Sequence, residues 1–132
     1  MFSLTKDMET GVAIIDSQHK ELIDRLNQVI SMGAKSVSKE ETQKTLKLLE
    51  EYILKHFRDE EALQKQSGYT KYEWHKGQHQ LYIAEFQKLR KEFEMNGASP
   101  KFVLDVQNSI IAWIVRHIKS VDAELGRFIN SK

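Results

Sequence analysis

The chain has 132 residues, 20 basic against 19 acidic, with 40% hydrophobic residues, one proline and no cysteine. This length suits one domain with one real core, and a net charge of +1 offers no basic face to nucleic acid or an acidic membrane. The missing cysteine excludes disulfides, thiolate zinc sites, iron–sulfur ligation, c-type haem attachment and thiol catalysis.

Residues 1–15 read as an arm, with Phe2, Leu4, Met8 and the stretch from Val12 to Ile15 apolar enough to pack across a core. A first helix, about 17–34, opens behind Asp16 as N-cap, carries Leu22, Ile23, Leu26, Val29 and Ile30 at three-and-four spacing, and fades at Gly33. A second, about 39–66, begins with Ser38 and Glu41 at capping-box spacing. Its stripe runs through Leu46, Leu49, Tyr52, Ile53, Phe57 and Leu63 to a turn at Gly68. A third, about 71–95, starts with the pair Thr70 and Glu73 and carries Tyr72, Tyr82, Phe86, Leu89 and Phe93 before Asn96-Gly97 ends it. The fourth, about 100–119, opens at Ser99-Pro100 and carries Val103, Val106, Ile110, Trp113 and Ile114. A C-terminal piece, about 121–130, holds Leu125, Phe128 and Ile129 and either continues this helix or packs as a short extra one. No strand alternation persists, and no apolar run has signal-peptide or membrane-spanning form. The expectation is an all-α, antiparallel up-down-up-down four-helix bundle with an N-terminal arm, monomeric and cytoplasmic, as one domain over 1–132.

All five histidines fall on the apolar stripes. His75 and His79 alternate with Tyr72, Tyr82 and Phe86 on the third helix, and His56 and Glu60 lie between Tyr52 and Leu63 on the second. His117 follows Ile110 and Trp113 on the fourth, and His19 precedes Leu22 on the first. In an antiparallel bundle, the start of helix one lies level with the end of two, the start of three and the end of four. At about 1.5 Å rise per residue the five rings therefore share one layer. One such histidine is usually a hydrogen-bonded core residue. Five, with an inward carboxylate, each need a polar partner, and a metal satisfies them together. Five imidazoles and a carboxylate are too many donors for one tetrahedral zinc and suit a dinuclear centre, two six-coordinate irons with one position open.

These residues closely resemble the hemerythrin family, in particular its single-domain bacterial members. The matching pieces are Gly11-Val12 through Ile15-Asp16-x-x-His19-Lys20-x-Leu22, then His56-Phe57-x-x-Glu60-Glu61, His75-x-x-x-His79 and Trp113-x-x-x-His117-Ile118-x-x-x-Asp122, together spanning about 9–129. Many bacterial members carry a tryptophan near the start, where this chain has Phe2. The resemblance implies two iron ions with oxo or hydroxo and carboxylate bridges: His75, His79 and His117 on one, His19 and His56 on the other, Glu60 and Asp122 across both. Asp122 rests on the resemblance, because a five-residue step from His117 falls about 140° around a regular helix; a bend or loosened turn near Lys119-Ser120 is needed to bring it in. Trp74, next to His75, points to another face and is given a packing role.

The family binds dioxygen reversibly at the two-histidine iron, with two electrons from the iron pair and a proton from the bridging hydroxide. An apolar lining slows autoxidation, and Phe57, Ile114 and Ile118 are the candidates for it. Reversible dioxygen binding for transport, storage or delivery, with an oxygen-consuming protein as the partner in delivery, is the leading expectation. A sensor acting through a separate partner and a di-iron peroxidase or oxidase are the alternatives; the chain lacks the paired Glu-x-x-His motifs of carboxylate-rich oxygenases.

Overall fold

The structure is a computed structural model and describes residues 3–33, 39–97 and 99–131. Three long helices, α1 (Ala13–Gly33), α2 (Lys39–Ser67) and α3 (Tyr72–Asn96), are followed by a fourth helical run over 100–130. That run consists of α4 (Pro100–Asp105), a π-helical stretch Val106–Ile111, α5 (Ala112–Arg116), a second π-helical stretch His117–Asp122, and α6 (Ala123–Asn130). The C-terminal piece thus continues the fourth helix. Each run packs on the next, and the fourth returns to α1, which closes the expected bundle. Among the described residues no helix is long and apolar enough to cross a membrane.

The apolar stripes turn inward together. Leu22, Leu26, Leu46, Ile53, Phe57, Tyr82, Phe86, Ile110, Ile114 and Ile118 belong to one buried core, and Ile15, Tyr69 and Leu125 form a smaller cluster of their own. Burial of each such side chain stabilises the fold by roughly 1.5–3 kcal/mol. Gly97, at φ 71, ends α3 and donates its N–H to Phe93 O at 2.7 Å. Ser99 Oγ then accepts the Phe102 N–H at 3.1 Å, so the Ser-Pro start of the fourth run is capped as expected.

The second helix begins at Lys39 as expected, but the starts of the first and third differ from what the sequence predicts. α1 begins at Ala13, so Val12 is the last arm residue and Asp16 sits within the first turn instead of capping it. From there its carboxylate accepts Thr10 N at 2.8 Å, Thr10 Oγ1 at 2.7 Å and Gly11 N at 3.2 Å. An acid in the first turn also suits the helix dipole, so Asp16 ties down the arm rather than the helix end. Ser38 lies outside the described residues, as does Phe2. At α3, Lys71 holds the N-cap position without a side-chain cap, so Thr70 and Glu73 form no capping box. Backbone bonds from Tyr69 N to Gln64 O and from His75 N to Lys71 O carry the chain through this turn.

The arm does pack across the bundle. Met8 is buried in the main core with Leu4 against it, and the 3-10 turn Lys6–Met8 lies on the second π-helical stretch. Trp74 does not pack as expected: it is 49% exposed, because its neighbour His75 takes the inward direction.

Candidate metal centre

Helical spacing aims most of the site. His56 and Glu60 are four apart on α2, His75 and His79 four apart on α3, and each pair therefore projects from one face. His19 comes from the first half of α1. His117 and Asp122 bound the second π-helical stretch, whose i→i+5 hydrogen bonding widens the turn and brings a five-residue step back to one face. All seven side chains are buried, Asp122 and His75 at 0% exposure and His117, the most open, at 4%.

They meet in two overlapping groups. Glu60, His75, His79, His117 and Asp122 form one, and His19, His56, Glu60 and Asp122 the other, with donor atoms in each group within 4.8 Å of one another. Glu60 and Asp122 belong to both, and their two oxygens divide the work. Glu60 Oε1 lies 2.8 Å from His75 Nε2 and 3.1 Å from His79 Nε2, while Oε2 lies 3.5 Å from His56 Nε2 and 3.9 Å from His19 Nε2. Asp122 Oδ1 lies 2.9 Å from His75 Nε2 and 3.1 Å from His117 Nε2, and Oδ2 2.8 Å from His19 Nε2. Each carboxylate thus turns one oxygen to the three-histidine group and the other to the two-histidine group.

Many of these approaches are close without being aligned as hydrogen bonds. Nε2 of His19, His75 and His117, Oε2 of Glu60 and both Asp122 oxygens have no hydrogen-bond partner although buried. Such atoms are costly to bury unless something between them takes their lone pairs. Imidazole nitrogen and carboxylate oxygen are both good donors to first-row cations, so the residues present fit a metal pair.

Electrostatics agree with a site built for positive charge. Burial would drive His75 down, but the Asp122 and Glu60 carboxylates beside it outweigh burial and push it up to about 9. The same opposition leaves His19 and His79 raised. Burial dominates at His56 and pulls it down to about 4, with Glu60 offsetting only part. Asp122 stays well below the ordinary carboxylate range despite burial, because His117, His19 and His75 surround it. Protons on the imidazoles here occupy the place of a cation, and a metal would displace them.

The supporting contacts include residues to which sequence patterning assigns no role. His56 Nδ1 contacts Gln18 Oε1 at 2.6 Å, and His79 Nδ1 contacts Glu61 Oε2 at 2.9 Å. Gln18 precedes His19 and Glu61 follows Glu60, so adjacency to a ligand was the available signal. Phe57 stacks on His79 with centroids 3.9 Å apart and planes at 4°. Trp113 stacks on His117 at 4.5 Å and on Tyr82 at 4.4 Å, which locks the imidazole from outside. Ile114 and Ile118 are buried in the same core as Phe57. A surface cleft of about 300 Å³, lined in part by Ile15, Gln18, Asp59, Glu60 and Leu63, approaches the two-histidine half.

Residues 10–129 match the family model of the hemerythrin HHE cation binding domain. Bacteriohemerythrin of Methylococcus capsulatus is 31% identical over 122 residues, covering 89% of this chain and 87% of the relative. Myohemerythrin of Sipunculus nudus is 31% identical over 103 residues, covering 77% of this chain and 78% of the relative. A crystal structure of wild-type hemerythrin superposes with a TM-score of 0.82 at 27% identity, covering 98% of this chain and 97% of that one. The sequence, the closed bundle and the shared-carboxylate geometry agree with these matches: the chain belongs to the hemerythrin family.

Proposed function

We propose that this chain binds dioxygen reversibly at two iron ions held by His19, His56, Glu60, His75, His79, His117 and Asp122. The observation that carries the reading is that Glu60 and Asp122 each belong to both donor groups, with three histidines in one group and two in the other. A pair of carboxylates shared in this way suits two cations side by side, and the group with fewer imidazoles is the one with room for a small ligand. Seven nitrogen and oxygen donors without a thiolate favour iron over a closed zinc site. When bound, the iron pair supplies the electrons and the open coordination position that dioxygen needs.

The chain's own part is to orient and to exclude water. Phe57, Ile114 and Ile118, at 2%, 1% and 0% exposure, supply apolar surface around the centre. A dry lining slows the loss of reduced oxygen to solvent and hence autoxidation. We read the protein as a carrier or store rather than an enzyme, since a histidine-rich donor set favours reversible binding over oxygen activation.

Anaerobic reduction followed by air tests this. The expected result is a visible charge-transfer band that appears with dioxygen, shifts in the Raman spectrum with isotopically labelled dioxygen, and disappears when oxygen is removed. Rapid irreversible oxidation would sink the carrier reading, and one zinc per chain would overturn the iron pair. His56→Ala should lose the adduct and one metal; an unchanged adduct would contradict the assigned half.

A further inference from the structure

A polar chain runs from the surface to one imidazole of the centre. Lys55 Nζ donates to Asp59 Oδ2 at 2.8 Å, Gln18 Nε2 donates to the same oxygen at 2.9 Å, and Gln18 Oε1 sits 2.6 Å from His56 Nδ1. The Asp59 side chain stands outside the two donor groups and is 38% exposed.

The donor and acceptor roles along this chain are forced. A carboxylate only accepts, so Asp59 must receive the Gln18 NH2 group. That leaves the amide one orientation, with its carbonyl oxygen on His56. A carbonyl also only accepts, so His56 Nδ1 must carry the hydrogen. Nε2 is then left with its lone pair free, facing Glu60 Oε2 at 3.5 Å. Without Asp59 the amide can turn over, since its two ends have nearly the same shape. The NH2 group would then donate to His56 Nδ1 and place the ring hydrogen on Nε2, where no metal can bind. On the other half of the centre a different device serves: Glu61 meets His79 Nδ1 directly at 2.9 Å, and a carboxylate has no wrong way round.

We propose that Asp59 is a positioning residue for the two-histidine half of the centre: by holding the Gln18 amide in one orientation it presents His56 Nε2 to the metal. The inference rests on the two-metal reading above and adds to it a residue outside the ligand set. Its consequence is that a substitution outside the ligand set loosens one metal and spares the other.

Chelator-driven release from the iron-loaded protein, followed by absorbance of the iron–chelator complex, tests this. Wild type should release two irons per chain in two phases; failure to hold two would defeat the two-metal reading itself. With that satisfied, Asp59→Ala, which leaves no acceptor for the Gln18 amide, should speed the early phase about 10- to 100-fold and leave the late phase unchanged. Lys55→Gln breaks the surface ion pair but leaves Asp59 its acceptor role, so both phases should stay as in wild type. Adding Gln18→Glu to Asp59→Ala should restore the early phase, because a carboxylate at position 18 accepts from His56 whichever way it is turned. Gln18→Leu, which removes the amide and fills its space, should reproduce the acceleration. An unchanged early phase in Asp59→Ala, or an acceleration that Gln18→Glu does not reverse, would overturn the proposal.

Discussion

His117 and Asp122 lie five residues apart on one helical run, yet His117 Nε2 and Asp122 Oδ1 are only 3.1 Å apart. On an α-helix that step would leave them on different faces. The π-helical stretch between them resolves the conflict by one wide turn, at the cost of poorer backbone bonding. Ser120 Oγ donates to Arg116 O at 2.7 Å within it, which supplies a bond to a carbonyl of the distorted turn. The arm then packs on this stretch, and Lys119 Nζ reaches Asp7 Oδ2 at 3.4 Å.

Asp122→Asn tests what the distortion is for. Asparagine keeps the shape of the side chain but removes its charge and one acceptor oxygen. Since Asp122 belongs to both donor groups, the substitution should weaken both metals, not one. Iron content per chain after a mild chelator challenge should fall below one, while helical circular dichroism stays near wild type. Retention of two irons with unchanged release would show that Asp122 is no bridge.

This helix also marks the limit of what the sequence reveals. The stripes that carry His56, Glu60, His75, His79 and His117 follow from three-and-four spacing, because those residues lie on regular α-helix or next to it. Asp122 does not, since a π turn leaves no signature in apolar periodicity; only likeness to a family motif pointed to it. Asp16 shows the converse problem. Its residue type suits a cap, but the cap position depends on how the arm docks, and tertiary bonds from Thr10 and Gly11 claim the carboxylate. Asp59 lies in the acidic run Asp59-Glu60-Glu61, which composition alone reads as solvated surface. Its contact with Gln18 spans 41 positions and is visible only in three dimensions.

Removing metal should change how stability depends on pH. In the metal-free protein His75 sits at about 9, above its ordinary 6.5, so the folded state holds its proton more tightly than the unfolded chain does. That contribution is fully present below about 6.5 and is lost as pH rises through about 9. His19 and His79 are raised too and act in the same direction. With metal bound, Nε2 carries no proton and this alkaline loss should vanish. Thermal melts from about pH 6 to about pH 10 should show a falling Tm without metal and a flatter profile with it; parallel profiles would contradict the assignment.

Phe57→Ala should both destabilise the bundle and loosen one ligand. The ring is 2% exposed and stacks on His79 at 3.9 Å, so its removal leaves a cavity against an imidazole. The stability cost should be about 3–5 kcal/mol, measured by denaturant unfolding of the metal-free protein. Phe57→Leu fills more of the space but cannot stack, and should fall between wild type and alanine. If leucine restores stability but not the rate of iron release, the stacking contribution is separated from simple packing.

Two glycines should respond to alanine with opposite signs. Gly77 lies in α3 with nothing within 4 Å of where a Cβ would stand, so Gly77→Ala should stabilise the helix by about 1 kcal/mol through backbone entropy alone. Gly126 lies in α6, and the same propensity argument applies there. A Cβ at 126, however, would stand 2.9 Å from Thr10 Cβ and 3.1 Å from the Thr10 carbonyl carbon. Thr10 cannot easily retreat: Asp16 holds its N–H and hydroxyl, and Asn130 Nδ2 donates to its carbonyl at 3.1 Å. Gly126→Ala should therefore push the arm from α6 and cost about 1–3 kcal/mol, overriding the helix gain. The arm overlies the stretch that carries His117 and Asp122, so iron release should also quicken in this variant and not in Gly77→Ala. A stabilised Gly126→Ala protein would mean that the arm is not held against α6 as the packing at Thr10 requires.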